Sequence, residues 1–158
     1  MFRGDYLMTQ VPKAKAAREG SFGFLVQLLA RDLDARMKEA LKEIGVEVKI
    51  FANLMMLYEE DGINQRALGE RLNFPEYFTS RNIDAMVEAG YVERRQDPNS
   101  RRSYLIFLTD KGREKASQLP AKIKAVNDSV LAELTEQEKA DVIKLLQKAA
   151  KISDGTSS

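Results

Sequence analysis

The sequence has no cysteine and no histidine. Their absence excludes a disulfide, a thiol nucleophile, a thiol redox sensor and any Cys/His zinc site. It also excludes imidazole acid–base chemistry. No apolar run is long enough to span a bilayer. The first residues lack the continuous apolar segment of a secretion signal. The expectation is a cytoplasmic protein with no membrane association. An excess of one charge is missing as well: 25 basic residues face 24 acidic ones, a formal net charge of +1. Any affinity for a polyanion must therefore come from where charge is placed, not from its sum. The carboxylates form no cluster that suggests a metal site, and there is no glycine-rich phosphate loop. Glu59, Glu60 and Asp61 lie side by side, but at a helix-end turn with no cleft partner in view, and are read as solvated. No cofactor, no metal and no enzymatic activity are expected.

What is present is ordinary for one globular domain: 158 residues, of which 44% are hydrophobic and 31% charged. Residues 1–20 show no periodicity and read as a flexible arm; residues 153–158 read as a disordered tail. From Ser21, a plausible N-cap, Phe22, Leu25, Leu29, Leu33, Met37 and Leu41 recur at helical steps, predicting an amphipathic helix that ends near Gly45. Val48–Tyr58 is almost wholly apolar and predicts a central helix, with Met37, Met55 and Met56 as core packing. Asn64 can cap a short helix to Leu72. Pro75 suits the first turn of another, which stops at Gly90. Tyr91–Gln96 and Arg102–Leu108 predict two strands around a wide turn. Thr109 caps a helix that meets Pro120, where a kink or local break is expected, and ends near Leu134. Thr135 and Glu138 have capping-box spacing and open the last helix, with Val142, Leu145, Leu146 and Ala149 on one face. Lys144, Lys148 and Lys151 are read as its solvated face.

Two short helices joined by a tight turn and followed by a hairpin make a winged helix-turn-helix. The fold class expected is mainly α with a small two-stranded β-wing. Residues 46–109 are expected to make up this unit, as a DNA-binding domain, with the helices of residues 21–45 and 110–152 flanking it as candidates for dimerisation. On the second helix of the pair, Glu76, Tyr77, Ser80, Arg81 and Asp84 should face outward, and Ile83, Met86 and Thr79 inward. Arg81 can fork onto a guanine or clamp a phosphate; Tyr77 and Ser80 can bond phosphate oxygens. Phe78 should pack in part on Phe74. Four arginines, Arg94, Arg95, Arg101 and Arg102, stand against Glu93 and Asp97 between Tyr91 and Tyr104. A narrow minor groove attracts such charge.

The segment from about Ala67 to Gly112 resembles the multiple-antibiotic-resistance regulator (MarR) family. The resemblance rests on Ser80-Arg81, on Glu88-Ala89-Gly90-Tyr91-Val92 with Arg94, on Arg102, and on Leu108-Thr109 with Gly112. The helical order extends it from about Ser21 to Ile152. The resemblance implies a homodimeric transcription regulator, usually a repressor, bound to a double-stranded pseudo-palindromic operator. It implies dimer contacts from the first and last helices, here Phe22, Leu25, Leu29, Val142, Leu145 and Leu146. It implies DNA contacts from Asn64, Gln65, Glu76, Tyr77, Ser80, Arg81, Arg94, Asn99, Arg101 and Arg102. Many family members are released from DNA by small phenolic or amphipathic effectors. Two departures stand out. Ser100 occupies the place of an aspartate that braces many wings, with Asp97 as a substitute in reach. Tyr77 and Phe78 replace small hydroxyl residues, which points to a different operator. A peroxide-sensing cysteine is excluded. A second class of function, a winged-helix protein-interaction module anchored by Tyr77 and Phe78, competes with the first.

Overall fold

The computed structural model describes residues 3–152, so the tail expected at 153–158 lies outside the described residues. The elements run α1 (Arg3–Glu19), α2 (Phe22–Lys42), α3 (Val48–Glu59), β1 (Ile63–Asn64), α4 (Gln65–Arg71), α5 (Glu76–Glu88), β2 (Val92–Gln96), β3 (Tyr104–Leu108), α6 (Asp110–Val130) and α7 (Glu136–Ala149). The result is a mainly helical winged helix-turn-helix. Among the described residues no helix is long and apolar enough to cross a membrane. No group of three or more acidic ligands there could hold a metal.

Local chemistry explains the helix starts. The side chains of Ser21, Asn64, Thr109 and Thr135 each accept a backbone N–H of the following first turn. Each thereby satisfies a donor that the helix leaves without an internal partner. At Thr135 the box is reciprocal, because the Glu138 carboxylate accepts the Thr135 N–H at 2.8 Å. That bond holds the Glu138 carboxyl below its usual pKa.

The core gathers around α3. Leu41 from α2, Leu54 and Leu57 from α3, Leu68 from α4, Ile83 and Met86 from α5, Ile106 from β3 and Leu119 from α6 are all fully buried. Apolar burial of this kind contributes most of the stability of a small domain. The α2 stripe behaves differently along its length. Met37 and Leu41 are buried and Leu33 is half-buried, but Phe22, Leu25 and Leu29 are exposed. On α7 no residue is buried: Leu145 and Leu146 are exposed and Val142 is half-buried.

Several expectations need correction. Residues 3–19 form a helix, which the lack of periodicity there did not indicate. The run Lys13–Glu19 consists of alanine, lysine, arginine and glutamate, all strong helix formers, with no apolar stripe for periodicity to detect. The sheet has three strands in the order β1-β3-β2, because Ile63 and Asn64 pair with Ile106 and Leu105. Pro75 sits at the N-cap of α5, one position before the first turn. Helix α6 continues unbroken through Pro120 and ends at Val130, not Leu134. The ring removes one N–H from the ladder. The flanking turns are held against the core by Ala116, Leu119 and Val126, all buried. The acidic turn lies at the surface, as expected, but its carboxylates are engaged. Glu60 pairs with Arg71, which lowers the carboxyl's pKa. Asp61 accepts the Leu108 N–H at 2.8 Å and an Arg113 guanidinium N–H at 2.6 Å.

The wing and α6 meet at one crowded point. The Thr109 N–H donates to the Tyr91 carbonyl at 2.9 Å, and the Thr109 hydroxyl donates to the Gly90 carbonyl at 2.6 Å. A Cβ placed on Gly112 would lie 1.8 Å from that Tyr91 oxygen. Only glycine permits this approach of helix to strand. Gly112→Ala should therefore lower unfolding stability by about 3 kcal/mol, since neither backbone can yield. Denaturant unfolding checks this; a loss within about 0.5 kcal/mol, the range of ordinary surface changes, would show the seam to be pliant.

Candidate nucleic-acid interface

The helix-turn-helix is built on a second close approach. A Cβ on Gly69 would meet the Thr79 hydroxyl oxygen at 2.5 Å, so α5 lies directly on α4. The turn between them closes with the Phe74 N–H donating to the Gly69 carbonyl at 2.9 Å. Asn73 takes the left-handed conformation there, with φ of 53°, which asparagine tolerates better than most residues. The faces of α5 fall as the periodicity predicts. Thr79, Ile83 and Met86 are buried. Glu76, Tyr77, Arg81 and Asp84 are exposed and Ser80 is half-buried. Tyr77 is 69% exposed, the most exposed large apolar residue in the chain's described part. Phe78 is half-buried and meets Phe74 edge to face at 5.0 Å between centroids. Asn82, which periodicity did not single out, is buried against Asn53 of α3.

The wing pairs Val92–Gln96 with Leu108–Tyr104 in register, leaving residues 97–103 as its loop. No Asp97–Arg102 brace forms among the described residues. Asp97 instead shapes the turn, accepting the Asn99 N–H at 2.8 Å. Gln96 spans the loop, donating to the Ser100 and Ser103 carbonyls at 2.8 and 2.9 Å. Gln96 and Asp97 thus tie the loop together without an aspartate at position 100.

The four arginines divide by partner. Arg94 is tied inward, its side chain 26% exposed. It donates to the Asp84 carboxylate at 2.6 Å, to the Gln65 amide oxygen at 3.2 Å and to the Ser80 carbonyl at 3.5 Å. Arg95 pairs with Glu93 and stacks over the Phe107 ring at 4.2 Å. Arg101 and Arg102 are exposed and have no acidic partner among the described residues; nor has Arg81. Of these arginines, the unpaired ones therefore lie at the wing tip and on the outward face of α5, where Glu76 is also exposed. These are the places where a polyanion could reach them.

A cleft of about 490 Å³ joins the two parts, lined by Asn64, Gln65 and Arg66, by Glu76 and Thr79, and by Arg102 and Tyr104. It brings Asn64, Gln65, Glu76 and Arg102 together. Tyr77, Ser80, Arg81 and Asn99 lie outside its lining. Two predicted residues are already occupied in the free chain. Asn64 caps α4, accepting the Arg66 N–H at 2.9 Å, and Gln65 accepts from Arg94. Sequence reading missed Arg66 and Tyr104 as cleft residues, for neither belongs to a motif. It also missed the Asp84–Arg94 pair, which joins residues ten positions apart on different elements.

The Arg94 contacts hold wing, α5 and the start of α4 in one arrangement. A double-mutant cycle on Arg94→Ala and Asp84→Ala should give a coupling of about 0.5–1 kcal/mol, modest because Asp84 is largely solvated. Strict additivity in urea unfolding would show that the pair couples nothing.

Comparison with known proteins agrees with this geometry. The family model described as MarR family matches residues 51–103. The transcriptional regulator BilQ of Clostridium symbiosum is 24% identical over 136 residues, which span 86% of this chain and 94% of BilQ. The transcriptional repressor Rv2887 of Mycobacterium tuberculosis is 26% identical over 132 residues, spanning 84% of this chain and 95% of its own. A solved structure of Rv2887 with salicylic acid superposes with a TM-score of 0.67 at 25% identity, covering 82% of this chain and 96% of that one. A MarR transcriptional regulator from Methanosarcina mazei superposes with a TM-score of 0.76 at 28% identity, covering 82% and 93%. These relatives are regulators of transcription, not enzymes. With the family match lying on the helix-turn-helix and wing, and the fold shared over four-fifths of the chain with solved MarR regulators, residues 51–103 carry a MarR-type winged helix-turn-helix and the whole chain is similar to regulators of that family.

Proposed function

We propose that the chain is a homodimeric repressor of a pseudo-palindromic operator. Each subunit would set α5 in a major groove and its wing in the adjacent minor groove. The observation that carries this reading is the segregation of arginines. Those at the wing root are neutralised by Asp84 and Glu93, while Arg101, Arg102 and Arg81 are free and exposed. A major groove admits a helix of this size, and a narrow minor groove concentrates negative potential. Arg81, Tyr77 and Ser80 would face bases and phosphates from α5; Arg101, Arg102 and Asn99 would enter or flank the minor groove. Asn64, Gln65 and Glu76 would line the edge of the contact, and Arg94 would act mainly through Asp84. In this arrangement residues 46–109 are the DNA-binding unit, and residues 21–45 and 110–152 join the subunits.

The dimer is supported by apolar surface that one chain leaves in water. Phe22 is 67% exposed and Leu145 65% exposed, with Leu25, Leu29 and Leu146 also exposed on the same two helices. A stripe that is core at Met37 and Leu41 and bare at Phe22–Leu29 requires a covering partner. Release by a small amphipathic acid is supported by the salicylic acid in the Rv2887 structure. It is also supported by an open groove between α2 and α3, lined by Val46 and Val48 with Asp34 and Glu47 alongside. There Lys38 has no acidic partner among the described residues, while Lys42 and Lys49 are paired with Glu39 and Glu47. The protein-interaction alternative is less well supported, because Phe78 is engaged by Phe74 and leaves Tyr77 as a single exposed anchor.

Titration against duplexes selected from a random DNA pool tests the reading. Affinity should fall with salt by a log–log slope of about −0.9 per phosphate neutralised. Arg102→Ala should cost about 1–3 kcal/mol of binding. A flat salt dependence, or an intact dimer whose affinity ignores the loss of Arg102, would refute the groove contact. Salicylate added to the same complex should release the DNA; retention at saturating salicylate would exclude that ligand class.

A further inference from the structure

Helix α5 packs on α3, and Ile83 and Met86 of α5 share one buried apolar core with Ile50, Leu54 and Leu57 of α3. Such contacts are non-directional. They resist separation of the helices but only weakly oppose a small slide or rotation. One directional contact links the two helices among the described residues. The Asn82 amide donates to the Asn53 amide oxygen at 3.1 Å, with both side chains within 1% of complete burial. The bond is imperfect, since the Asn53 amide nitrogen has no acceptor. A buried donor without a partner is destabilising, and replacing both members of such a pair by apolar groups of similar shape is often neutral or stabilising. The chain therefore carries at its centre a polar pair that two leucines would match or improve for stability alone.

Its position gives it a use. Asn82 directly follows Arg81 and lies two residues after Ser80 on α5, the helix proposed to enter the major groove. At 3.6 residues per turn, fixing the azimuth of Asn82 fixes the direction in which Tyr77, Ser80 and Arg81 leave the surface. A single buried asparagine pair sets register between helices in coiled coils at a cost in stability. We propose that Asn53 and Asn82 are positioning residues for DNA recognition, locking the rotation of α5 on α3 so that its outward side chains meet a defined set of base edges. The inference rests on the DNA-binding reading above.

The experiment compares wild type, Asn53→Leu, Asn82→Leu and the double variant on two readouts. These are the thermal midpoint and the ratio of affinities for the wild-type-selected duplex and a scrambled duplex of the same composition. Each single variant leaves one amide buried without a partner and should melt below wild type. The double should melt at or above wild type, yet its affinity ratio should fall at least about fivefold, a shift the size of one weakened base contact. An unchanged ratio in a stable double variant would overturn the proposal. So would a double variant that melts as low as the singles, for the pair would then be an ordinary structural hydrogen bond. A wild-type protein that selects no sequence at all would instead overturn the DNA-binding reading, and this inference with it.

Discussion

One buried-edge interaction organises the surface on which the proposed function depends: the Arg94 guanidinium, held by Asp84, Gln65 and the Ser80 carbonyl. These partners come from α5 and the start of α4, while Arg94 itself is on β2. A hairpin of five-residue strands would otherwise be a weak appendage. Arg94 fastens its root to α5, the Thr109–Tyr91 bond ties the N-cap of α6 to the residue before β2, and the Asp61–Leu108 bond ties the end of β3 to the turn after α3. The interaction also has an electrostatic consequence. Asp84 projects from the outward face of α5, where a bare carboxylate would repel phosphate. With Arg94 beside it that charge is balanced, which leaves the unpaired arginines of the tip and Arg81 against the exposed Glu76 on this surface.

The second organising constraint is that the core is smaller than the apolar surface the chain offers. Around α3 the packing is complete, with a fully buried side chain from every neighbouring element. Away from it, the N-terminal half of α2 and the whole of α7 bury no residue among the described ones. These two features act together. A monomer would present one α5 and one wing and could read one half-site. A partner covering α2 and α7 would bury the bare stripe and would bring a second reading surface with it, in two-fold symmetry.

Much of this was legible in the sequence, and the reason is local. Ser21, Asn64, Thr109 and Thr135 announce helix starts because a cap is a contact between near neighbours. The inward face of α5 follows from a 3.6-residue period, and Phe78 on Phe74 from their four-residue spacing. What escaped was either too short, too featureless or too distant. β1 is two residues long, below any alternation. α1 has helix-forming residues without a stripe. Arg94 reaches partners 10, 14 and 29 positions away, and Asn82 meets Asn53 across 29 positions. No spacing rule connects such residues, because the fold itself brings them together. The Gln96 bonds that tie the wing loop without an aspartate at position 100 were hidden for another reason: glutamine in a strand has no single expected partner.

The two-fold arrangement of reading surfaces is tested most directly by hydroxyl-radical footprinting of the protein on a duplex selected from a random pool. Two protected segments related by two-fold symmetry, centred about 34–36 Å apart along the duplex or at a multiple of that spacing, are expected. Each should combine a major-groove patch with protection of the flanking minor groove. A single unsymmetrical footprint would contradict the dimeric reading, and a duplex left uniformly open to cleavage would contradict sequence-specific binding itself.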